Sequence, residues 1–487
     1  MAWQEICEKR RKRILKQAPP DWILPESELT WINSHTDRSQ LPRRYLSVEE
    51  YQIVELSAWQ LVERISTRKL NAATVVEAYC HSATVAHQLT NCLSDLLYHE
   101  AMTTAKTLDE HFRQTGKPVG PLHGLPVSVK DNIHVKGTDS CLGIVSLVDI
   151  IDNEDSTIVS KIRKLGGIPF CKTIASAATM SVDCESNVFG RTLHPGNTSL
   201  IPGSSSGGEA SLISLHGSCL GIGTDLGGSI RFPTSFQGLY GLKPAAGVID
   251  FQGCTDLVTI IPSILSTVGP MARDPYDLEL FMRAVSAESS ISPVSTLMGP
   301  KRIAILRNNN VKPISDYILA ALDRVQEALE ANGWTVIDWD PHTLHGVAND
   351  LIGTAFVTHG YTNITRALSA SDEPPPPRLK EFLSGPRSND LTSLYNLLAK
   401  CKDQVMQKFK HYEVDYLVSP VATDTGFAFG NPGSSDGSYT CMWNLCNLPT
   451  GIFPVDLKSK TAGLQIIGTT DKEIDVLQLL KLLQNIL

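Results

Sequence analysis

The stretch 201–249, IPGSSSGGEASLISLHGSCLGIGTDLGGSIRFPTSFQGLYGLKPAAGVI, constrains this chain more than any other. It carries two glycine–serine knots, Gly203 to Gly208 and Gly227 to Ser229, separated by small and apolar residues. Glycine is used where the backbone takes unusual dihedrals or where another group must approach it closely. A glycine-dense loop ending in serine also sets a row of N–H donors beside a hydroxyl, the makeup of a nucleophile in its own oxyanion hole. Flexible linkers share this composition, but Leu212, Ile213, Leu215, Leu220 and Ile222 embed the knots in apolar sequence. A phosphate-binding loop fares no better: Gly203 to Glu209 lacks a GK[ST] ending, and GTDLGGS does not spell GxGxxG.

Upstream, Leu122 to Gly137 reads LHGLPVSVKDNIHVKG. Its alternation predicts a strand over 124–130, with Leu125, Val127 and Val129 on one face and Ser128 and Lys130 on the other. A lone strand-end lysine beside Asp131 is ordinarily exposed. A desolvated lysine instead has a depressed pKa and serves as a neutral base. Asp225 and Arg231 bracket the second knot, and burying either unpaired is costly, so they are expected to pair and fix the loop.

GSSSGGE, GTDLGGSIRFP, GLKP and GLPVSVKDN, in this order-specific arrangement, resemble the amidase signature family of serine hydrolases. The early tryptophan and DWILP are similar to its fungal acetamidase-type general amidases. The resemblance implies an α/β amidase-signature fold, a central mixed sheet covered by helices on both faces. It implies a Ser–Ser–Lys triad of Lys130, Ser205 (bridging, on a cis peptide) and nucleophile Ser229, with oxyanion donors on Leu226, Gly227, Gly228 and Ser229. It places Met180, Gly203 and Ser204 at the substrate, and Ser206, Asp225 and Arg231 in support of the loops. The implied reaction is amide hydrolysis through an acyl-enzyme, with no metal or organic cofactor. Ile174 to Ala177 replaces a common proline–glutamine step, Ala462 a common proline, and the linker 456–460 is short. The 174–177 region and the short linker leave open an acyltransferase using the same acyl-enzyme, and an amidotransferase subunit is a third, more distant reading. A Ser–His arrangement using His123, His134, His194 or His216 is a weak rival.

A net charge of −8 argues against nucleic acid as a partner. No signal peptide or apolar run of membrane-spanning length is read, and eleven cysteines without CxxC fit a reduced, cytoplasmic protein. The partner expected is a small-molecule amide. Residues 1–50 read as a helix followed by a proline-broken arm, compatible with a homodimer, with a solvated basic face over 9–16. Residues 51–487 read as one domain with its signature core at about 119–285. Helices are expected over 54–70, 71–84, 101–115, 155–165, 314–332, 392–412 and 472–487. Strands are expected at 168–172, 301–306, 335–338, 415–420 and 461–468, a surface turn at 373–377, and a loop at 421–438 that either caps the pocket or lies free on the surface.

Overall fold

The computed structural model describes residues 2–258, 261–262, 264–286, 302–341, 344–431, 437–458 and 460–487. Its strands, in chain order, are β1 (Leu93–Leu96), β2 (Pro126–Lys130), β3 (Ile168–Thr173), β4 (Glu185–Ser186), β5 (Gly190–Arg191), β6 (Leu220–Asp225), β7 (Tyr240–Lys243), β8 (Thr267–Ala272), β9 (Arg302–Ile305), β10 (Thr335–Asp338), β11 (Tyr416–Pro420), β12 (Thr450–Leu457) and β13 (Lys460–Gly468). Among the described residues, eleven of them form one mixed sheet in the order β1-β3-β2-β6-β8-β7-β12-β13-β11-β9-β10, and β4 and β5 pair separately. β2, β3, β6, β8 and β11 are buried at every position, so both faces of the sheet are covered. β2, whose side chains alternate between its two faces, is buried on both.

Local chemistry sets the parallel centre. Ser156 accepts a hydrogen bond from Val159 N (3.3 Å) and starts the helix Thr157–Lys164. That helix buries Ile158, Val159 and Ile162 and carries the chain from β2 to β3, with Lys130 in register with Thr173. β6 lies parallel to β2 on its other side, setting Gly221 beside Ser128.

Several elements depart from the sequence reading for identifiable reasons. The helix expected over 54–70 is shorter, Ala58–Ser66, and a separate helix, Val48–Val54, ends where it was expected to begin. Gln60 Oε1 reaches back to accept from Ser57 N (3.1 Å), starting a new helix there. The helix expected to end at Thr84 runs from Ala72 to Thr90 because Val85, Ala86 and Leu89 continue its buried face, and Asn91 ends it in the left-handed conformation. β1, too short to show a pattern in LSDL, was not anticipated and pairs antiparallel with β3.

The basic run over 9–16 has Lys9, Arg11, Lys12 and Lys16 exposed, as expected of a solvated face, and departs from it at Arg10. Arg10, on the helix Trp3–Arg13, is 2% exposed and grips Asp139 through Nε (3.2 Å) and Nη2 (2.7 Å), donating as well to Ser94 O (2.8 Å). A planar guanidinium meeting a carboxylate through two hydrogen bonds can be held in a dry site where a lone cation cannot. Glu373, at the head of the expected surface turn, is likewise buried, accepting from Val145 N (2.8 Å) and Asn187 Nδ2 (3.0 Å).

Two apolar bodies flank the centre. The larger fills the space around β1–β3 and the helix Ala72–Thr90. A second gathers Leu226, Ile352, Ala355, Leu417, Trp443 and Ile467 beneath the helix Leu344–Ser369. Ile201, Ala210, Ile230 and Phe232, which flank the glycine–serine knots, belong to a third.

Candidate active site

β6 ends at Asp225, and residues 226–230 turn into the helix Arg231–Phe236. Gly228 sits at φ +135°, and a Cβ there would fall 2.5 Å from the Phe232 ring, so no side chain fits. The first knot packs against the second backbone to backbone. Gly203, at φ +97°, approaches so closely that a Cβ would lie 2.4 Å from Pro233 Cα, and Ser206 N donates to Ser229 O (3.2 Å). Gly203 does not border the cavity, so the substrate contact expected of it is replaced by this close approach. Ser206 begins the helix Gly207–Ser214, and its own hydroxyl is buried without a partner.

Asp225 and Arg231 do pair, with Nη2 on Oδ1 (2.8 Å) and Nε on Oδ2 (3.1 Å), both side chains fully buried. Burial opposes the charge on Asp225, but the guanidinium beside it holds the carboxyl below the usual range. Asp225 also accepts from Gly228 N (2.9 Å) and Ile230 N (3.0 Å). Arg231 donates onward to Thr440 O (2.7 Å) and to Asn444, whose Nδ2 returns to Asp225 (3.0 Å). Thr440 Oγ1 donates to Gly227 O (2.6 Å). The expected set of four oxyanion donors is thereby reduced: the Gly228 N–H is engaged by Asp225. Among the described residues the N–H groups of Leu226, Gly227 and Ser229 have no acceptor.

Lys130 ends β2 fully buried, and its Nζ contacts Ser205 Oγ (2.7 Å), Thr224 Oγ1 (2.9 Å) and Thr224 O (3.3 Å). Burial pushes its pKa down to about 8, against the opposing pull of Asp225. Ser205 is buried, while Ser229 is half-buried and borders the cavity. No hydrogen bond joins Ser229 Oγ to Ser205 among the described residues; such contacts often tighten only with substrate in place. The described residues also hold no cis peptide bond, so the cis linkage implied at Ser205 is trans. Trans is the form favoured by about 2.5–4 kcal/mol for a non-proline residue.

The cavity beside Ser229 has a volume of about 670 Å³. Met180 and Ser204 line it, together with Leu226, Phe232, Phe356 and Phe382. Of the loop expected at 421–438, residues 432–436 lie outside the described residues. Gly437 borders the cavity, and Phe427 O accepts from Ile201 N (2.8 Å), tying the loop to the first knot. His123, His134, His194 and His216 do not border it; their ring nitrogens serve Val119 N, Thr255 Oγ1, Phe236 O and Val54 O. A Ser–His arrangement has no geometry here.

Sequence reasoning missed two buried charges next to the knots. Glu209 bonds Ser128 and Thr173 Oγ1 (2.6 Å), and burial pushes its carboxyl up to about 7. Its signal was an acid in an otherwise apolar helix. Lys243, donating to Pro244 O (3.1 Å), is pushed down to about 7 by burial and by Arg231.

With this geometry in hand, comparison with known proteins decides the family: the family model "Amidase" matches residues 74–476. The chain belongs to the amidase family. An acetamidase of Aspergillus oryzae is 31% identical over 97% of this chain and 92% of that protein. An acetamidase of Emericella nidulans is 31% identical over 85% of this chain and 77% of its own length. The solved structure of a fatty acid amide hydrolase superposes with a TM-score of 0.89 at 28% identity, covering 99% of this chain and 95% of that one. As an amidase, the chain is an enzyme of amide hydrolysis. Among its described residues no helix is long and apolar enough to cross a membrane.

Proposed function

We propose that this amidase hydrolyses a carboxylic amide through an ester formed on Ser229. The observation that carries the reading is the contact of a fully buried Lys130 with Ser205 Oγ at 2.7 Å, one residue before the backbone link from Ser206 to Ser229. Neutral Lys130 Nζ takes the proton of Ser205 Oγ as Ser205 takes that of Ser229, and Ser229 Oγ bonds to the amide carbon. Negative charge collects on the carbonyl oxygen. The free N–H groups of Leu226, Gly227 and Ser229 are the donors for it, each worth on the order of 10²–10³ in rate. The proton returns through Ser205 to the nitrogen as the C–N bond breaks, and water then cleaves the ester by the same relay. Asp225 and Arg231 hold the loop and move no proton.

Intact-protein mass after a fluorophosphonate tests this. One adduct on the native chain, absent from Ser229→Ala, is expected; an equal adduct on both would remove Ser229 from the role.

The lysine sets the pH dependence. Its base form is neutral, so protonation at lower pH blocks the relay. We expect kcat/KM for a primary amide to fall about tenfold per pH unit below about 8 and to level off above it. A profile flat from pH 6 to 9 would contradict Lys130 as the base.

A further inference from the structure

The helix Leu344–Ser369, which roofs the cavity, carries Gly346, Gly353 and Gly360 at seven-residue intervals. Seven residues make nearly two turns, so the three share one face. Within a helix, glycine lowers the helix-forming weight of its position roughly fivefold relative to alanine. At Gly360 the neighbours press close, a Cβ there coming within 3.0 Å of Val258, whereas one on Gly346 would meet Val311 at an ordinary contact distance of 3.5 Å. Gly353 differs. Its φ is not in the left-handed region, and a Cβ there would meet no heavy atom within 4 Å. It borders the cavity with Phe356 and Val357 of the following turn and with Met180, Leu226 and Phe382, while Asp350, Arg378 and Glu381 make up the charged part of the lining. Neither backbone nor packing requires glycine at this point, and the open space above it is the cavity.

The volume sets a scale. About 670 Å³ falls in the range of roughly 300–1,000 Å³ that holds drug-sized ligands, far more than a single methyl group fills. The acyl half of an amide stays on Ser229 through both half-reactions, whereas the amine leaves after the first. A cavity bordering Ser229 therefore has to seat the acyl group. We infer that Gly353 sets the size limit of this site, and that the substrate is an amide of a bulky, largely apolar acid lying beneath the helix. The inference rests on Ser229 as the nucleophile.

The test is kcat/KM along the saturated primary amides from acetamide to decanamide, on the native chain and on Gly353→Leu. The native value is expected to rise about fourfold per methylene until the cavity is filled. In Gly353→Leu the rise should stop early, with the longest amide slowed about 100-fold relative to acetamide. Leucine favours a helix over glycine, so the variant should fold. Superimposable profiles, or a native preference for acetamide, overturn the inference. Labelling of Ser229 by methyl and by long-alkyl fluorophosphonates separates the two readings. Chain-length-dependent labelling that Gly353→Leu abolishes, without turnover of any amide, overturns amide hydrolysis and leaves the size limit standing. Equal labelling by both reagents on both chains overturns the size limit and leaves the nucleophile standing.

Discussion

Replacing Ser229 with alanine is expected to lower kcat/KM for amide hydrolysis by on the order of 10⁴–10⁶-fold without loosening the fold. The hydroxyl is half-buried at the cavity wall and makes no hydrogen bond among the described residues, so its removal strands no buried partner. Unfolding midpoints in urea should coincide with those of the native chain. Lys130→Ala should produce a loss of similar size, and the double variant should be little worse than either single one, because groups that act as one relay are strongly non-additive. Residual activity above about one per cent in Ser229→Ala would place the nucleophile elsewhere.

The second large effect is on stability. Arg231→Met should cost about 3–5 kcal/mol of unfolding free energy, because it leaves Asp225 charged, buried and without its cation. The damage should spread beyond the pair: Thr440 O and Asn444 lose their donor, and Asp225 loses the partner that aims it at Gly228 N. Urea unfolding would measure it, and a cost below about 1 kcal/mol would show the web to be dispensable. Since the Asp225 carboxyl is held below its ordinary range, the contribution it makes is complete at neutral pH. It is lost only as the pH falls below about 4 towards that depressed value.

What could be read from the sequence was what the chain places close together. Both knots, the strand carrying Lys130, and the pairing of Asp225 with Arg231 six residues on all announce themselves in short stretches of glycine, serine and isolated charge. Features built from distant segments stayed hidden. Thr440 and Asn444, which complete the web around Asp225, lie more than 200 residues away in a stretch with no motif. Arg10 and Asp139 are 129 residues apart, and a basic run with a solvated face has the same composition as one with a single inward arginine. Gly203 illustrates a different limit: glycine in a motif signals that something comes close, and only the fold shows that it is Pro233 and not a substrate. The donor role expected of Gly228 failed for a related reason, since nothing local reveals that the Asp225 carboxylate turns back onto its N–H.

The strand order also governs how a ribosome must assemble this enzyme. β9, β10 and β11 reach the rest of the sheet only through β13 and then β12, which closes onto β7. Until residue 468 has emerged, the nascent chain holds two incomplete sheets with open edges, each a template for mispairing with a neighbouring polypeptide. Yield in the cell should therefore depend on chaperones that shelter the long intermediate. A stop codon placed before β12 should give insoluble protein, not a smaller working enzyme.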